Sequence, residues 1–563
     1  MGESVSEGSQ PLESKGPPSY NRIKAEGQSR PSVFHRYRGR PNWRKRGLTM
    51  ESAMNRRAFL GAAAAGIVAI SARRAQADEA VPSFDREVDV LIIGGGGTGV
   101  AAAVEAAEAG VETLVIEKSG VMGGSTIMSG GMIHAAGTSY QKEMADCDDD
   151  SPELLAQYYL GCGDTLVDEE LVRDMAYASA DELAWCESCG IRYVTVFGVQ
   201  PIPGLEDCIR PRIHLPGDGT TGTAGVPGLG YLHVNPIWAR AEKAGATMEF
   251  ETTAKRLLAD VNGAVVSAEV EQDGVVVTIG ARRGVVLATS GFDHNVEMAK
   301  AMSPSQYIAL TEEGNLVGTC ATNTGDGIRM GLQVGAGLAG MGGALNVSLN
   351  GCIGRDPTSN VGGPTTGITV NRYGQRFVNE WTQYGYYMAA CLEQDGHEAW
   401  TITDQAAVDR EGGVLMGFTS EDLSVELEAG SVVKADTVEE LAVKIGVDAV
   451  GLGKTLDTWN ADVAQGADLS FGKMEALNPI NQGPFYAARV LSYNLGSLGG
   501  LKINVDAQVC RFDGTPIDRL YAGGLCTGGW TGMFYPGSGT AVLSTVHWGR
   551  KAGKAAAAQE PLW

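Results

Sequence analysis

The residues with the clearest chemical potential open the central part of the chain. Gly94-Gly95-Gly96-Gly97-Thr98-Gly99 is a run in which main-chain N–H groups can be reached by an anion, because hardly any side chain stands in the way. An acid, Glu117, follows at the distance where a second strand would end and could accept from ribose hydroxyls. Amides for a pyrophosphate and a carboxylate for a ribose are the parts of a dinucleotide site. The seven histidines show neither HxxxH nor HExxH spacing, so no metal is expected; His134 and His214 are candidates to line a cleft or to sit in the core. Of the ten cysteines, Cys186-Glu-Ser-Cys189 is the one close pair, with Cys147, Cys162 and Cys208 nearby in sequence. An iron–sulfur cluster needs about four converging thiolates; buried free cysteines are the alternative.

The elements that must position this chemistry are legible around it. Val88 to Ile93 is apolar and β-branched and reads as a strand, and the alanine-rich stretch after Gly99 reads as a helix ending near Gly110. Strand, glycine turn and helix follow in the order a dinucleotide fold requires: Gly94 for the tight turn, Gly96 for access to phosphate, Gly99 for close helix–strand packing. Val111 to Glu117 is the second strand. A length of 563 residues fits two packed units better than one, and 78 glycines are about twice the usual frequency, as many tight turns and close backbone approaches would demand.

Charge divides the chain. Residues 1–77 hold 14 Lys/Arg against 5 Asp/Glu, a surplus of 9, so with a whole-chain charge of −23 the remainder carries −32. That field would repel a polyanion, and nucleic acid is not expected as a partner. Within the basic front, Asn55-Arg56-Arg57-Ala58-Phe59-Leu60 is a twin-arginine signature, followed by an apolar stretch to Ala72 and the small-x-small site Ala75-Gln76-Ala77. This predicts a signal peptide over 54–77, export in a folded state, and a periplasmic or other extracytoplasmic location. Residues 1–53 read as a disordered leader or as sequence upstream of a true start at Met54.

Further along, Gly123-Gly124-Ser125-Thr126 and Ser129-Gly130-Gly131 resemble the GG(S/N)T…GG segment of the fumarate reductase/succinate dehydrogenase flavoprotein superfamily. Val285 to Phe292, with Ala288, Thr289 and Gly291, resembles its ATGGF turn, and Leu520-Tyr-Ala-Gly523-Gly524 resembles its AAGE segment with Gly524 in place of the glutamate. The resemblance implies an α/β fold, a Rossmann-like FAD-binding domain of the glutathione-reductase type with an inserted α+β cap. It divides the chain into a first FAD-binding part over 84–301, a cap over 302–484 and a second FAD-binding part over 485–563. Non-covalent FAD would be held by Gly94, Gly96, Gly97, Thr98, Gly99, Glu117, Lys118, Gly123 to Thr126, Ser129, Gly130, Gly131, Ala254 in the strand flanking adenine, Ala288, Thr289, Gly291, Gly523 and Gly524. The returning segment would close over the ring with Ser538, Gly539, Thr540, Ala541 and Val542. No haem-attachment CxxCH occurs, so a separate electron donor or acceptor, a cytochrome or quinone pathway, is expected.

The superfamily divides by what stands above the flavin. The two histidines and two arginines that clamp a dicarboxylate in fumarate reductases fall near Val347, near Gly496, at Tyr384 and within Phe534 to Thr540, so none is retained. Tyr384 and Tyr535-Pro-Gly-Ser-Gly539 instead resemble the 3-ketosteroid dehydrogenases, whose YPGGG run binds a ketone oxygen. That resemblance makes Tyr535 and Gly539 the groups polarising a carbonyl and Tyr384 the proton carrier at the α carbon. An isolated tyrosine is as readily a packing residue, and Tyr193, where the family places a helper to the proton carrier, reads as a core aromatic. The reaction implied is interconversion of a hydrophobic cyclic ketone and its α,β-unsaturated enone, steroid-like by resemblance. A small unsaturated acid gripped by Arg210 or Arg212, and a non-catalytic flavin electron carrier, are the alternatives.

Overall fold

The computed structural model describes residues 83–198, 201–217, 228–350, 367–410 and 420–563; the leader and the twin-arginine segment lie outside these. The strand Arg86–Ile93 is buried along its second half and pairs in parallel with Thr113–Ile116 on one side and Val275–Leu287 on the other. Parallel strands need both faces covered, which explains the apolar runs Val90 to Ile93, Leu114 to Ile116 and Val285 to Leu287 where the strands pair in parallel. The sheet has eight strands. Across it run 508–510, 516–522, 275–287, 86–93, 113–116 and 247–249, while 252–259 and 265–272 add an antiparallel meander beside 275–287.

The helix Gly97–Glu108 covers one face and packs against the C-terminal helix Thr540–Ala557. Small residues let these two helices touch backbone to backbone. A Cβ at Gly549 would lie 2.5 Å from the Thr98 carbonyl oxygen, and one at Gly553 2.2 Å from that of Ala102. The consequence is positional: the start of the C-terminal helix is fixed against the start of the helix that follows the glycine turn.

The second body is built around the 13-residue strand Phe485–Ser497. Its first half pairs antiparallel with Ala399–Asp404 and Val432–Ala435, its second half antiparallel with Ala344–Asn350 and parallel with Leu316–Val317. This corrects the sequence-derived boundary at 484/485, since that strand is the centre of the cap sheet. The chain returns to the flavin-side body at Gly500–Lys502, which pairs with Leu338–Ala339 and Thr527–Gly528. Nor is 302–484 one continuous insert. Ile328, Met330 and Ala336 belong to the flavin-side core, so the chain passes between the two bodies more than once. Pairing partners far apart in sequence decide this, and no local pattern announces them.

Candidate active site

The turn after the first strand is shaped as an anion cradle. Gly94 has φ of +112°, and a Cβ there would lie 2.3 Å from the Ala288 carbonyl oxygen. Gly96 caps the following helix without any side-chain hydrogen bond, and the nearest atom to its hypothetical Cβ is 3.8 Å away. The helix N-terminus therefore presents uncapped main-chain N–H groups to the cleft, a built-in site for phosphate. Gly97 N–H donates to Thr126 Oγ1 at 3.2 Å, which ties the second glycine segment to the first.

At the end of the second strand Glu117 is buried, and its carboxylate accepts from Gly95 N–H at 2.7 Å and Ser119 N–H at 2.8 Å. Lys118 reaches Asp326 Oδ2 at 2.9 Å and Thr324 Oγ1 at 3.2 Å, joining this edge to the loop before Asp326–Gln333. A single cleft of about 580 Å³ runs from Glu117, Lys118 and Ala254 past Gly96, Gly124 to Thr126, Ser129 to Gly131, Ala288 and Thr289, and ends among Tyr384, Tyr535 and Ser538. The buried carboxylate, the uncapped helix start and the glycine-lined middle fit an adenosine, a pyrophosphate and a ring in that order, which is FAD. Glu117→Ala is expected to weaken FAD affinity about 10- to 100-fold, because two charge-assisted hydrogen bonds that shape the turn are lost together. Titration of the apoprotein with FAD, followed by flavin fluorescence, measures it.

Six of the expected flavin residues do not line the cleft. Gly99, Gly291, Gly523 and Gly524 are packing glycines: added Cβ atoms would lie 1.9 Å from the Gly94 carbonyl oxygen, 2.1 Å from Ser497 Oγ, 2.9 Å from Thr98 Cγ2 and 2.3 Å from Thr98 Oγ1 respectively. Gly123 turns at φ +118° and donates its N–H to the Gly95 carbonyl at 2.9 Å. Thr540 faces backward, its hydroxyl bonded to the Gly537 carbonyl at 2.9 Å. Gly97, Thr98, Val542 and Ala541 do line it.

The far end of the cleft is apolar with hydroxyls set into it. Leu345, Val347, Tyr384, Leu498 and Tyr535 form one buried cluster. Tyr535 lies just before the C-terminal helix, and its hydroxyl oxygen accepts from Ala541 N–H at 2.7 Å. Burial pushes the Tyr535 phenol up from its ordinary value, and the N–H groups of Ala541, Gly539 and Thr540 only partly offset that. It stays protonated, and with its oxygen already accepting, its proton is free to be donated. Gly539 caps the helix at φ +96°; a Cβ there would lie 2.6 Å from His134 N, so glycine is required.

Tyr384 begins the helix Tyr384–Leu392, and its hydroxyl contacts Ser538 Oγ at 3.0 Å. Burial, reinforced by Tyr535, pushes the Tyr384 phenol well above its usual value. Gln383 fixes the two tyrosines relative to each other: fully buried, it caps that helix through Tyr386 N–H at 2.9 Å and donates to the Tyr535 carbonyl at 3.0 Å. Sequence reasoning missed Gln383, and also Tyr493, Leu495, Leu525, Phe197 and Ile213 in the cleft wall. The N-cap preference before Tyr384 was the one available signal, and glutamine is not a usual cap.

The other sequence candidates are engaged elsewhere. Arg212 is buried in a two-point pair with Asp150 at 2.8 and 2.6 Å, and Arg210 pairs with Asp149 at 3.0 Å. His134 bonds Tyr159 OH at 2.8 Å, and burial depresses its imidazole far below the ordinary value. His214 bonds Thr138 Oγ1 at 2.8 Å and is lowered to about 4 by burial. Tyr193 packs edge-on against Tyr140 and His214 in the core. Cys186 is buried, and among the described residues no cluster of three or more His, Cys, Asp or Glu side chains is arranged to hold a metal. Among those residues neither arginine nor histidine lines the cleft, and its one cation, Lys118, is paired.

Residues 89–542 match the FAD binding domain family. The digoxin reductase of Eggerthella lenta is 30% identical across 91% of this chain and 98% of its own length. The cytochrome-type fumarate reductase of Shewanella frigidimarina is also 30% identical, over 84% of this chain and 74% of that protein. The solved structure of 3-ketosteroid-Δ4-(5α)-dehydrogenase from Rhodococcus jostii, in complex with 4-androstene-3,17-dione, superposes with a TM-score of 0.71 at 30% identity, covering 86% of this chain and 99% of that one. A cleft that fits FAD, ending in hydroxyls where carboxylate clamps would stand, agrees with these matches: the chain belongs to the FAD-binding oxidoreductase family of fumarate reductases and ketosteroid dehydrogenases, in its ketosteroid-dehydrogenase-like branch, and is an FAD-dependent oxidoreductase acting on CH–CH bonds.

Proposed function

We propose that the enzyme interconverts an uncharged, hydrophobic cyclic ketone and its α,β-unsaturated enone, with a steroid-sized ring system as substrate. The carrying observation is the substrate end of the cleft, apolar and set with hydroxyls, in which no arginine or histidine stands among the described residues. A dicarboxylate there would be desolvated without a counter-charge, costing several kcal/mol. The small-acid alternative loses its clamp as well, since Arg210 and Arg212 are both held by aspartates.

Bound FAD supplies hydride exchange at the carbon β to the carbonyl. The Tyr535 O–H and Gly539 N–H polarise the ketone oxygen and stabilise the enolate as charge moves onto it. Tyr384 exchanges the proton on the α carbon. The apolar wall of Leu345, Val347 and Leu525 excludes water and seats the ring. Export through the twin-arginine segment, with electrons passed to or from a separate cytochrome or quinone pathway, completes the reading. An exported enzyme of this kind uses the enone as an electron sink.

The test is anaerobic. Dithionite-reduced, flavin-loaded protein is mixed separately with 4-androstene-3,17-dione, other ring enones, fumarate and an aryl acrylate, and flavin absorbance is followed. Rapid reoxidation by a ring enone and silence with the acids is the expected result. Reoxidation by the acids alone would overturn the reading.

A further inference from the structure

Behind the flavin cleft, the C-terminal helix is held by a network of buried charge. Ala541, Val542 and Thr545, in its first two turns, line the cleft. His547, Arg550 and Lys551 come next, spaced three and four residues apart, so they share one face. That face meets Asp174 and Glu182 of the helix Glu169–Ser188, which are about two turns apart along it. The His547 side chain is buried, with Nε2 2.7 Å from Asp174 Oδ2 and Nδ1 2.9 Å from Glu182 Oε1. Lys551 Nζ donates to Asp174 as well, and to the Val505 carbonyl at 2.8 Å. Arg550 donates to Glu182 Oε2 at 2.6 Å and, through Nε, to Glu105 Oε1 at 2.6 Å. Glu105 lies on Gly97–Glu108, the helix whose start faces the pyrophosphate.

An ionised carboxylate can only accept. With a carboxylate oxygen at hydrogen-bond distance from each ring nitrogen, both nitrogens of His547 must carry a proton, so the geometry calls for imidazolium. Three cations, His547, Arg550 and Lys551, then face three carboxylates, Glu105, Asp174 and Glu182. Removing the His547 proton leaves one carboxylate uncompensated and turns a bare ring nitrogen toward an oxygen in a buried site, which is costly. His134 and Arg283, on strands packed against the same helix, meet its ends at Thr540 and Ala557 and not His547.

We propose that His547 is a proton-operated clamp: charged, it locks the C-terminal helix onto its two neighbours and so retains the flavin, and neutral, it loosens that helix. Burial opposes the charge, and the bonds to Asp174 and Glu182 outweigh it, so the imidazole titrates above its ordinary value. The sign follows. Its contribution is complete below the ordinary histidine value and is lost as pH rises through the raised one. Burial also opposes charge on Asp174 and Glu182, and the bonds to His547 with those to Lys551 and Arg550 hold both below the usual carboxylate range. Their contribution is complete above that range and is lost only as pH falls through the lowered values.

The experiment heats the full-length, FAD-loaded enzyme in buffers from about pH 5.5 to 9.5 and follows flavin release by fluorescence. In the wild type the release temperature should fall by about 3 to 6 °C in one step on the alkaline side of the ordinary histidine value. His547→Gln, which does not titrate, should lack that step, lying below the wild type in acid and meeting it in alkali. Asp174→Asn keeps an acceptor and removes a charge, so the step should move about one pH unit toward acid. An undiminished step in His547→Gln, or an unmoved step in Asp174→Asn, would overturn the inference. Should His547→Gln fail to fold with FAD, the position of the step in Asp174→Asn decides alone.

Discussion

Tyr535→Phe is expected to lower kcat about 10²- to 10³-fold, the cost of deleting one donor from a preorganised oxyanion site, while the flavin spectrum and FAD affinity are kept. The structure separates this from a folding defect. The Tyr535 oxygen also accepts from Ala541 N–H, so the phenylalanine variant loses one hydrogen bond at the start of the C-terminal helix. That loss alone is worth only about 1 kcal/mol, and the helix keeps its packing against Gly97–Glu108. A small fall in melting temperature with a large fall in turnover is therefore the expected pair of results. A flavin electron carrier without substrate chemistry would show the first and not the second. Reoxidation of the reduced variant by ring enones, set beside its thermal unfolding, distinguishes the two.

How much of this was legible in the sequence depended on whether the determinant was local. The strand–glycine–helix unit around Gly94 to Gly99 and the acid at Glu117 were readable, because a positive φ at Gly94 and a phosphate-facing helix start are properties of consecutive residues. Tyr384 and Tyr535 could be picked out only by resemblance. Nothing within either segment reveals that Gln383 bonds the Tyr535 backbone across 152 positions. The same holds for the glycines. Gly524 and Gly291 look like cofactor contacts in one dimension, and their actual neighbours, Thr98 and Ser497, come from remote segments. The cap boundary was misplaced for a related reason. Strand Phe485–Ser497 is buried along most of its length because it pairs with several distant strands, and a buried strand reads alike in either body.

The burial of Tyr384 sets an asymmetry between the two directions of reaction. Desolvation and the neighbouring Tyr535 both push its phenol well above the ordinary value, and Ser538 offsets this only in part. At neutral pH Tyr384 is consequently a loaded proton donor, the form that enone reduction requires. Dehydrogenation needs the phenolate, which is scarce below the raised pKa and grows about tenfold per pH unit. The expected profiles follow: reduction nearly flat between about pH 6 and 9, dehydrogenation rising with pH across the same range. Tyr384→Phe should remove the rise and lower both rates about 10²- to 10⁴-fold, with ketone binding retained because Tyr535 and Gly539 are untouched. Steady-state rates in both directions across that range, for the wild type and the phenylalanine variant, test it. A dehydrogenation rate independent of pH in the wild type would assign the α proton to some other group. If the pattern holds, the apolar wall that seats the ring also biases the enzyme toward adding a proton, because excluding water from Tyr384 and holding its proton are the same physical act.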